Sequence, residues 1–496
     1  SVSQFLVRAR STVSPHHPLS MRRFLFLLTA AAMVSAGAQP SPAKAPAAAS
    51  AINIPHEVMT LPNGLTVILA PDHSVPRVAV DVWYHVGSKN EKPGRTGFAH
   101  MFEHVMFTGS LHVPYGTHDR YTEGVGGDNN GSTTNDRTNY YENVPSNYLE
   151  TALWMEADRM GFLLDKLDEE KFKAQRDIVQ NERRQGTDNQ PYGRAFEIVT
   201  TQMVPESHPY SWPVVGYLTD LQRATVDDVK EFFRLYYAPN NATLAIVGDF
   251  QPTQAKAWVT KYFGDLKRGA PIARPTVPPV TMSDVRRVHF EDRVQVPRLY
   301  MAWPTVGEDS GDDKALDVLA AILAGPRTAR LTKPLVYDRQ SATSVNAFQD
   351  TNENAGMFLL MLTPRTGHTL TELEASTDSI VDRFKREGPT AEEMTKALAG
   401  VEFGFVSGLE SNLSKAEQLL SGKVFHGDAA YYKRLYAGIK GITAADVQRV
   451  ANTYLGAGRV LLSVVPQGRA DQAARPDQSK QVTVAADGGH YHVEGK

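Results

Sequence analysis

The sequence predicts an α+β fold of two homologous domains, each a β-sheet packed against helices, and three observations carry it. Alternating apolar strands and amphipathic helical stretches are interspersed rather than strictly alternating, which disfavours a doubly wound parallel sheet. The main composition break, "RGAPIARPTVPPVTMSD" from Arg268 to Asp284, holds four prolines that favour extended backbone and reads as a linker between halves of similar length. Finally, a unit recurs: "ATVDDVKEFFRLYYAPNNATLAIVGDF" from Ala224 and "ITAADVQRVANTYLGAGRVLLSVVPQG" from Ile442 align Thr225 with Thr443, Asp228 with Asp446, Val229 with Val447 and Tyr236 with Tyr454. Each copy reads as a Thr N-cap with an acid three residues on, a helix, a turn and an apolar strand. The openings also correspond, since "VPRVAVDVWYHVGS" (Val75 to Ser88) and "VPRLYMAWPTVGED" (Val296 to Asp309) both give a strand after Val-Pro-Arg. Two matches in the same order make duplication the better reading.

Taken in order, residues 1–20 read as an extension before a start at Met21. Residues 21–38, "MRRFLFLLTAAAMVSAGA", have the parts of a secretory signal: Arg22 and Arg23, an apolar stretch from Phe24 to Val34, and a cleavage site at Ala36-Gly37-Ala38. The apolar stretch is short for a bilayer span. Removing residues 1–38, which hold four Arg and no acid, leaves 48 cations against 55 acids, so the charge goes from −3 to −7. A periplasmic or secreted product is expected. Residues 39–52 form a Pro/Ala linker, 53–267 the first domain, 268–284 the Pro-rich linker, 285–467 the second domain and 468–496 a polar tail expected to be flexible. Within the first domain, "EVMTLPNGLTVILAPD" reads as a hairpin around Pro62-Asn63-Gly64. A strand at Val78 to His85, a short helix, a Gly/Asn-rich loop and two long helical segments follow.

Composition removes several function classes. At 42% apolar and 22% charged the chain is ordinary globular protein, and its balanced charge shows no basic block for nucleic acid. It has no cysteine, so thiol catalysis, iron–sulfur clusters and Cys-ligated zinc are excluded. A metal here must use His and carboxylate.

The short helix supplies such groups. "HMFEH" places His100 and His104 four apart, on one face of a helix, where two imidazoles reach one zinc ion. Glu103 lies beside them, as a base would for a metal-activated water. The bland alternative is a core helix carrying polar residues by accident. Yet the helix is apolar nearly all round, so it should be buried, and unpartnered His and Glu there would cost several kcal/mol. The order His-x-x-Glu-His is the inverzincin pattern. Two ligands do not complete a site. The candidate third is Glu182 in "QNERRQG", 78 positions after His104.

With Glu182 in place the chain resembles the pitrilysin/insulysin family of zinc metallopeptidases, in the bacterial branch similar to mitochondrial processing peptidase. The resemblance rests on "HMFEH", "GGDNNGSTTNDRTNYYENVP", "NERR", the repeat and the linker, and runs from about Ile54 to Pro466. It implies two halves enclosing a chamber, with Zn2+ held by His100, His104 and Glu182 and Glu103 as general base. It implies too that a strand carrying Asn130 and Gly131 pairs with an extended peptide substrate. From residue chemistry alone Asn130-Gly131 could equally be a turn. A calcium loop is excluded, because Gly131 follows Asp128 by three positions rather than five.

Two features depart from the family. A supporting acid seven residues before the third ligand is here Gln175. The Arg and Tyr that stabilise the oxyanion from the C-terminal half fall, in "LVYDRQSATSV", on Val336 and Thr343, with Tyr337 and Arg339 nearby in the wrong order. Loss of such donors costs about 2.7–4 kcal/mol of barrier lowering. The expectation is therefore a zinc endopeptidase of short or unfolded polypeptides, acting as the catalytic half of a heterodimer whose homologous partner supplies the Arg/Tyr pair. The competing expectations are a non-catalytic scaffold subunit on the same fold, or a metal-storage protein. Neither has a use for Glu103.

Overall fold

At Asn63-Gly64 the chain reverses, with Gly64 at φ 95° and β1 (Glu57–Thr60) and β2 (Thr66–Pro71) closing antiparallel around it. This is a computed structural model, and it describes residues 52–308, 310–485 and 490–494. The expected signal at 21–38 and the expected extension at 1–20 lie outside the described residues. The first half continues through β3 (Arg77–Tyr84), α1 (Phe98–Val105), α2 (Thr117–Gly124), β4 (Asp128–Thr133), β5 (Thr138–Pro145), α3 (Leu149–Phe162), α4 (Glu169–Arg183), α5 (Ala195–Met203), α6 (Leu218–Arg223), α7 (Val226–Tyr236), β6 (Ala242–Gly248) and α8 (Pro252–Phe263). Residues 268–284 form no helix or strand. The second half comprises β7 (Val285–Asp292), β8 (Arg298–Val306), α9 (Asp312–Leu323), β9 (Ala342–Thr351), β10 (Ala355–Pro364), α10 (Leu370–Glu387), α11 (Ala391–Ser407), α12 (Asn412–His426), α13 (Tyr431–Gly441), α14 (Ala444–Tyr454), β11 (Arg459–Pro466), β12 (Lys480–Val484) and β13 (Tyr491–Val493).

The duplication is visible in the sheets. The first has the order β1-β2-β6-β3-β5-β4 and the second β13-β12-β7-β11-β8-β10-β9. Superposing β2-β6-β3-β5-β4 on β7-β11-β8-β10-β9 preserves every orientation: the first pair is parallel and the next three are antiparallel. The aligned helices α7 and α14 both open with a capping box, Thr225 with Asp228 and Thr443 with Asp446. Two local sequence signatures thus mark two copies of one α+β unit.

Each sheet has one face covered by its own half's helices. The opposite faces are closed by exchange. Helix α5 belongs to the first half yet packs on β8 and β11, burying Ile198 and Val199 among Tyr300, Leu462 and Val464. Helix α12 belongs to the second half and packs on β3 and β6, with Phe425 5.9 Å from Trp83 between ring centroids. The halves are also pinned turn to turn. The β9–β10 turn reaches the β4–β5 turn, where Lys89, 3% exposed, pairs with Asp136 at 2.9 Å and also with Glu353, and His85 Nε2 lies 2.8 Å from Glu353. Tyr210 donates to Asp136 at 2.6 Å, and Asn135 donates to Asn352 at 2.9 Å.

The segment after Pro466 differs from the flexible tail expected. Strand β12 adds to the second sheet parallel to β7, and β13 pairs back on β12. Its polar composition hides Val482, Tyr491 and Val493, which alternate onto one apolar face against α5. Among the described residues no helix is long and apolar enough to cross a membrane.

Candidate metal centre

Helix α1 starts without a side-chain N-cap, because Gly97 takes φ 85° at the cap position. A Cβ there would meet Val215 O at 2.7 Å and Gly216 Cα at 2.8 Å. The free N–H groups go to a distant acid: Glu91 accepts from Gly97 at 2.9 Å and from Ala99 at 2.7 Å. Asp220 accepts from the Thr96 N–H at 3.1 Å and its hydroxyl at 2.7 Å. Phe98, Met101, Phe102 and Val105 then bury one side of α1, with Phe102 stacked 5.2 Å from Phe233. His100, Glu103 and His104 are left on the half-buried side. Helix α4 is N-capped by Asp168 and packs against α1, which brings its penultimate residue, Glu182, over the two histidines.

The three candidate ligands converge. Glu182 Oε2 lies 3.2 Å from His104 Nε2 and 3.7 Å from His100 Nε2, and all three donor atoms fall within 4.8 Å of one another. Ligand bonds of about 2 Å at tetrahedral angles place neighbouring donors about 3.3 Å apart, so the set fits zinc in spacing and in chemistry. Burial lowers the His100 pKa, and the neighbouring His104 adds to that against the pull of Glu103 and Glu182. For His104, burial is outweighed by the Glu182 carboxylate, which raises it; Glu182 itself is lowered, burial being outweighed by His104 and His100.

Glu103 stands apart from this triad, its Oε2 accepting from the Thr133 hydroxyl at 2.6 Å. Thr133 ends β4, the edge strand of its sheet, paired with β5 on one side only. Asn130 and Gly131 sit within β4 opposite Tyr141 and Tyr140, not in a turn. The Asn130 Oδ1 accepts from the Gly131 N–H at 2.8 Å. A Cβ on Gly131 would stand 3.0 Å from Glu103 Cγ, so this glycine leaves the room that Glu103 occupies. Gln175, two helical turns before Glu182, is buried. In the second half Val336 packs partly buried on its own core, the Thr343 hydroxyl donates to Thr363 O at 3.2 Å, Tyr337 stacks under Arg327, and Arg339 is exposed.

Glu91 and Asp220 cap and anchor α1 from loop and helix positions that no short-range pattern marks. A second buried group, His118, Glu142 and Glu156, also clusters within 4.8 Å, but the Arg159 guanidinium already pairs with Glu156 there.

The chain belongs to peptidase family M16. The insulinase (peptidase family M16) domain matches residues 66–208, and the peptidase M16 inactive domain matches residues 223–401. Among curated relatives, the zinc protease PqqE of Helicobacter pylori is 30% identical over 410 residues, covering 80% of this chain and 90% of that protein. An Arabidopsis thaliana protein named "Probable mitochondrial-processing peptidase subunit beta" is 22% identical, with 82% and 78% covered. Among solved structures, a protease from Helicobacter pylori aligns with a TM-score of 0.76 at 28% identity, covering 83% of this chain and 99% of that one.

Proposed function

We propose that the chain is a zinc-dependent endopeptidase acting on short or unfolded polypeptides, with His100, His104 and Glu182 as metal ligands. The observation that carries this reading is the convergence of two Nε2 atoms and one carboxylate oxygen, from helices 78 positions apart in sequence, beside an acid that is not one of them. Bound there, zinc would lower the pKa of a coordinated water and polarise a peptide carbonyl. Glu103 is the base that takes the water's proton, and Thr133 orients its carboxylate. The free edge of β4 receives an extended peptide by strand addition along Asn130 and Gly131, which selects for backbone shape over side chains.

At the two positions where the family's oxyanion donors fall, this chain carries Val336 and Thr343. Val336 is apolar and packed, and Thr343 is committed to a backbone carbonyl. We read the active form as a heterodimer in which a homologous subunit supplies an Arg/Tyr pair, a reading in line with a relative named as a subunit. Export to the periplasm, or secretion, with cleavage after Ala38 completes the proposal. A quenched-peptide assay tests it, with the chain alone, with a co-expressed homologous subunit, and with chelator. Cleavage should need the partner, be lost with chelator, and fall by at least about 100-fold in Glu103→Gln at unchanged zinc content. Full activity of Glu103→Gln would remove Glu103 as the base, and equal activity of the lone chain would remove the partner.

A further inference from the structure

Arg183, the residue after Glu182, is fully buried. Its guanidinium donates to both oxygens of Glu197 on α5, at 3.1 and 3.0 Å, and to the carbonyl of Gly216 at 2.9 Å. Gly216 is in backbone contact with Gly97, so close that a Cβ on Gly216 would stand 2.4 Å from Gly97 Cα. Gly97 is where α1 begins. One side chain therefore ties the end of α4, which bears Glu182, to the start of α1, which bears His100 and His104.

Glu197 is itself held from β13. Tyr491 on β13 donates its hydroxyl to Glu197 Oε2 at 2.5 Å, the same oxygen that Arg183 engages. Strand β13 is fixed by its pairing on β12, and β12 by its pairing on β7, so this hydroxyl is anchored in the second sheet. Next to it, His490 packs on Tyr217 at 4.4 Å, and Tyr217 lies under the Arg183 guanidinium at 5.9 Å.

We propose that the C-terminal strand is a positioning element of the metal centre: through Glu197, the Tyr491 hydroxyl fixes Arg183, which sets the spacing of the two ligand-bearing helices. This rests on reading His100, His104 and Glu182 as the ligands. Removal of the hydroxyl leaves the ligands in place but loosens their spacing, so the consequence is weaker metal retention rather than loss of fold. Groups that orient metal ligands typically contribute 10–100-fold to affinity.

The test is zinc affinity by competition with a chromophoric chelator, with melting of the metal-free protein and the visible spectrum of the cobalt-substituted protein alongside. Tyr491→Phe should bind zinc about tenfold more weakly, with an altered cobalt spectrum and an unchanged metal-free melt. A chain ending at Ala485 should be weaker still, and His492→Ala, exposed on the same strand, should match the wild type. Wild-type affinity and spectrum in Tyr491→Phe, with Glu182→Gln losing zinc, would overturn the positioning role alone. Retention of zinc at full affinity by Glu182→Gln would instead remove the ligand assignment, and this proposal with it.

Discussion

At the scale of single residues, the contact between Gly131 and Glu103 shows how a strand and a helix share one small space. Adding a methyl group at Gly131 would press on Glu103 Cγ at 3.0 Å, with Asn139 O at 3.1 Å and Tyr140 Cδ1 at 3.3 Å blocking escape. The side chain that can yield is Glu103, which would leave its Thr133 hydrogen bond. Gly131→Ala should therefore keep its zinc and lose on the order of tenfold or more in kcat/KM, because misplacing a reacting group by a fraction of an ångström is costly. Metal analysis and peptide kinetics on one preparation check this; unchanged kinetics would mean that Glu103 has slack. The shared helix of His100, Glu103 and His104 was legible in sequence because helical periodicity is local. Glu182 stood only as a candidate until the family resemblance joined it, since nothing in the 77 residues between His104 and Glu182 announces that α4 folds back over α1. Gly131, Glu91 and Arg183 were not legible in these roles, because each acts on a group that only the tertiary fold brings near.

At the scale of elements, β5, α2 and α3 bury a cluster whose charges do not balance. His118 Nδ1 lies 3.0 Å from Glu142, while Arg159 pairs with Glu156 and caps the ring of Tyr140 at 4.6 Å. Two carboxyls share one guanidinium in a site closed to water, with Asp119 and Asp158 as the further acids acting on His118. Burial pushes the pKa of Glu142, and likewise of Glu156, up to about 7, and that of His118 down to about 3. The native state therefore keeps a proton on the carboxyl pair at pH values where the unfolded chain has released it. Stability from this source is present at low pH and is lost as pH rises from about 4.5 through 7. Glu142→Gln removes that titration, so its melting temperature relative to the wild type should rise by about 1–3 °C between pH 5 and pH 8. His118, pushed down to about 3 by burial, stays neutral in the wild-type native state at both pH values. Parallel melting curves at the two pH values would show that the pair is ionised throughout. Elements themselves were legible where their signals are local: the hairpin turn at Gly64 and the two Thr–Asp capping boxes all formed as patterned. Strands β12 and β13 were not, since β12 docks on a strand about 190 residues earlier and its flanks are polar.

At the scale of the whole molecule, the exchange of α5 and α12 decides what can fold alone. Composition and the proline-rich stretch at 268–284 suggest separable halves, and the matching sheet orders support a common ancestor unit. The packing contradicts separability. Without the second half, α5 would present Ala195, Ile198, Val199 and Met203 to water, and the α12-covered face of β3 and β6 would be bare. Each such Ile, Val or Met is worth about 1.5–3 kcal/mol when fully buried, and the exposed patch would exceed what soluble monomers tolerate. A chain of residues 53–284 expressed alone should therefore aggregate or bind a hydrophobic dye without a cooperative melt. Co-expressed with residues 285–496 it should recover a soluble, cooperatively melting complex in which Lys89 again meets Glu353 and Tyr491 again meets Glu197. Zinc retention is the discriminating readout. If the lone first half melts cooperatively and holds zinc as tightly as the full chain, the exchange is dispensable and the centre is self-sufficient. If only the reassembled pair does, the second half is a structural part of a metal centre to which it contributes no ligand.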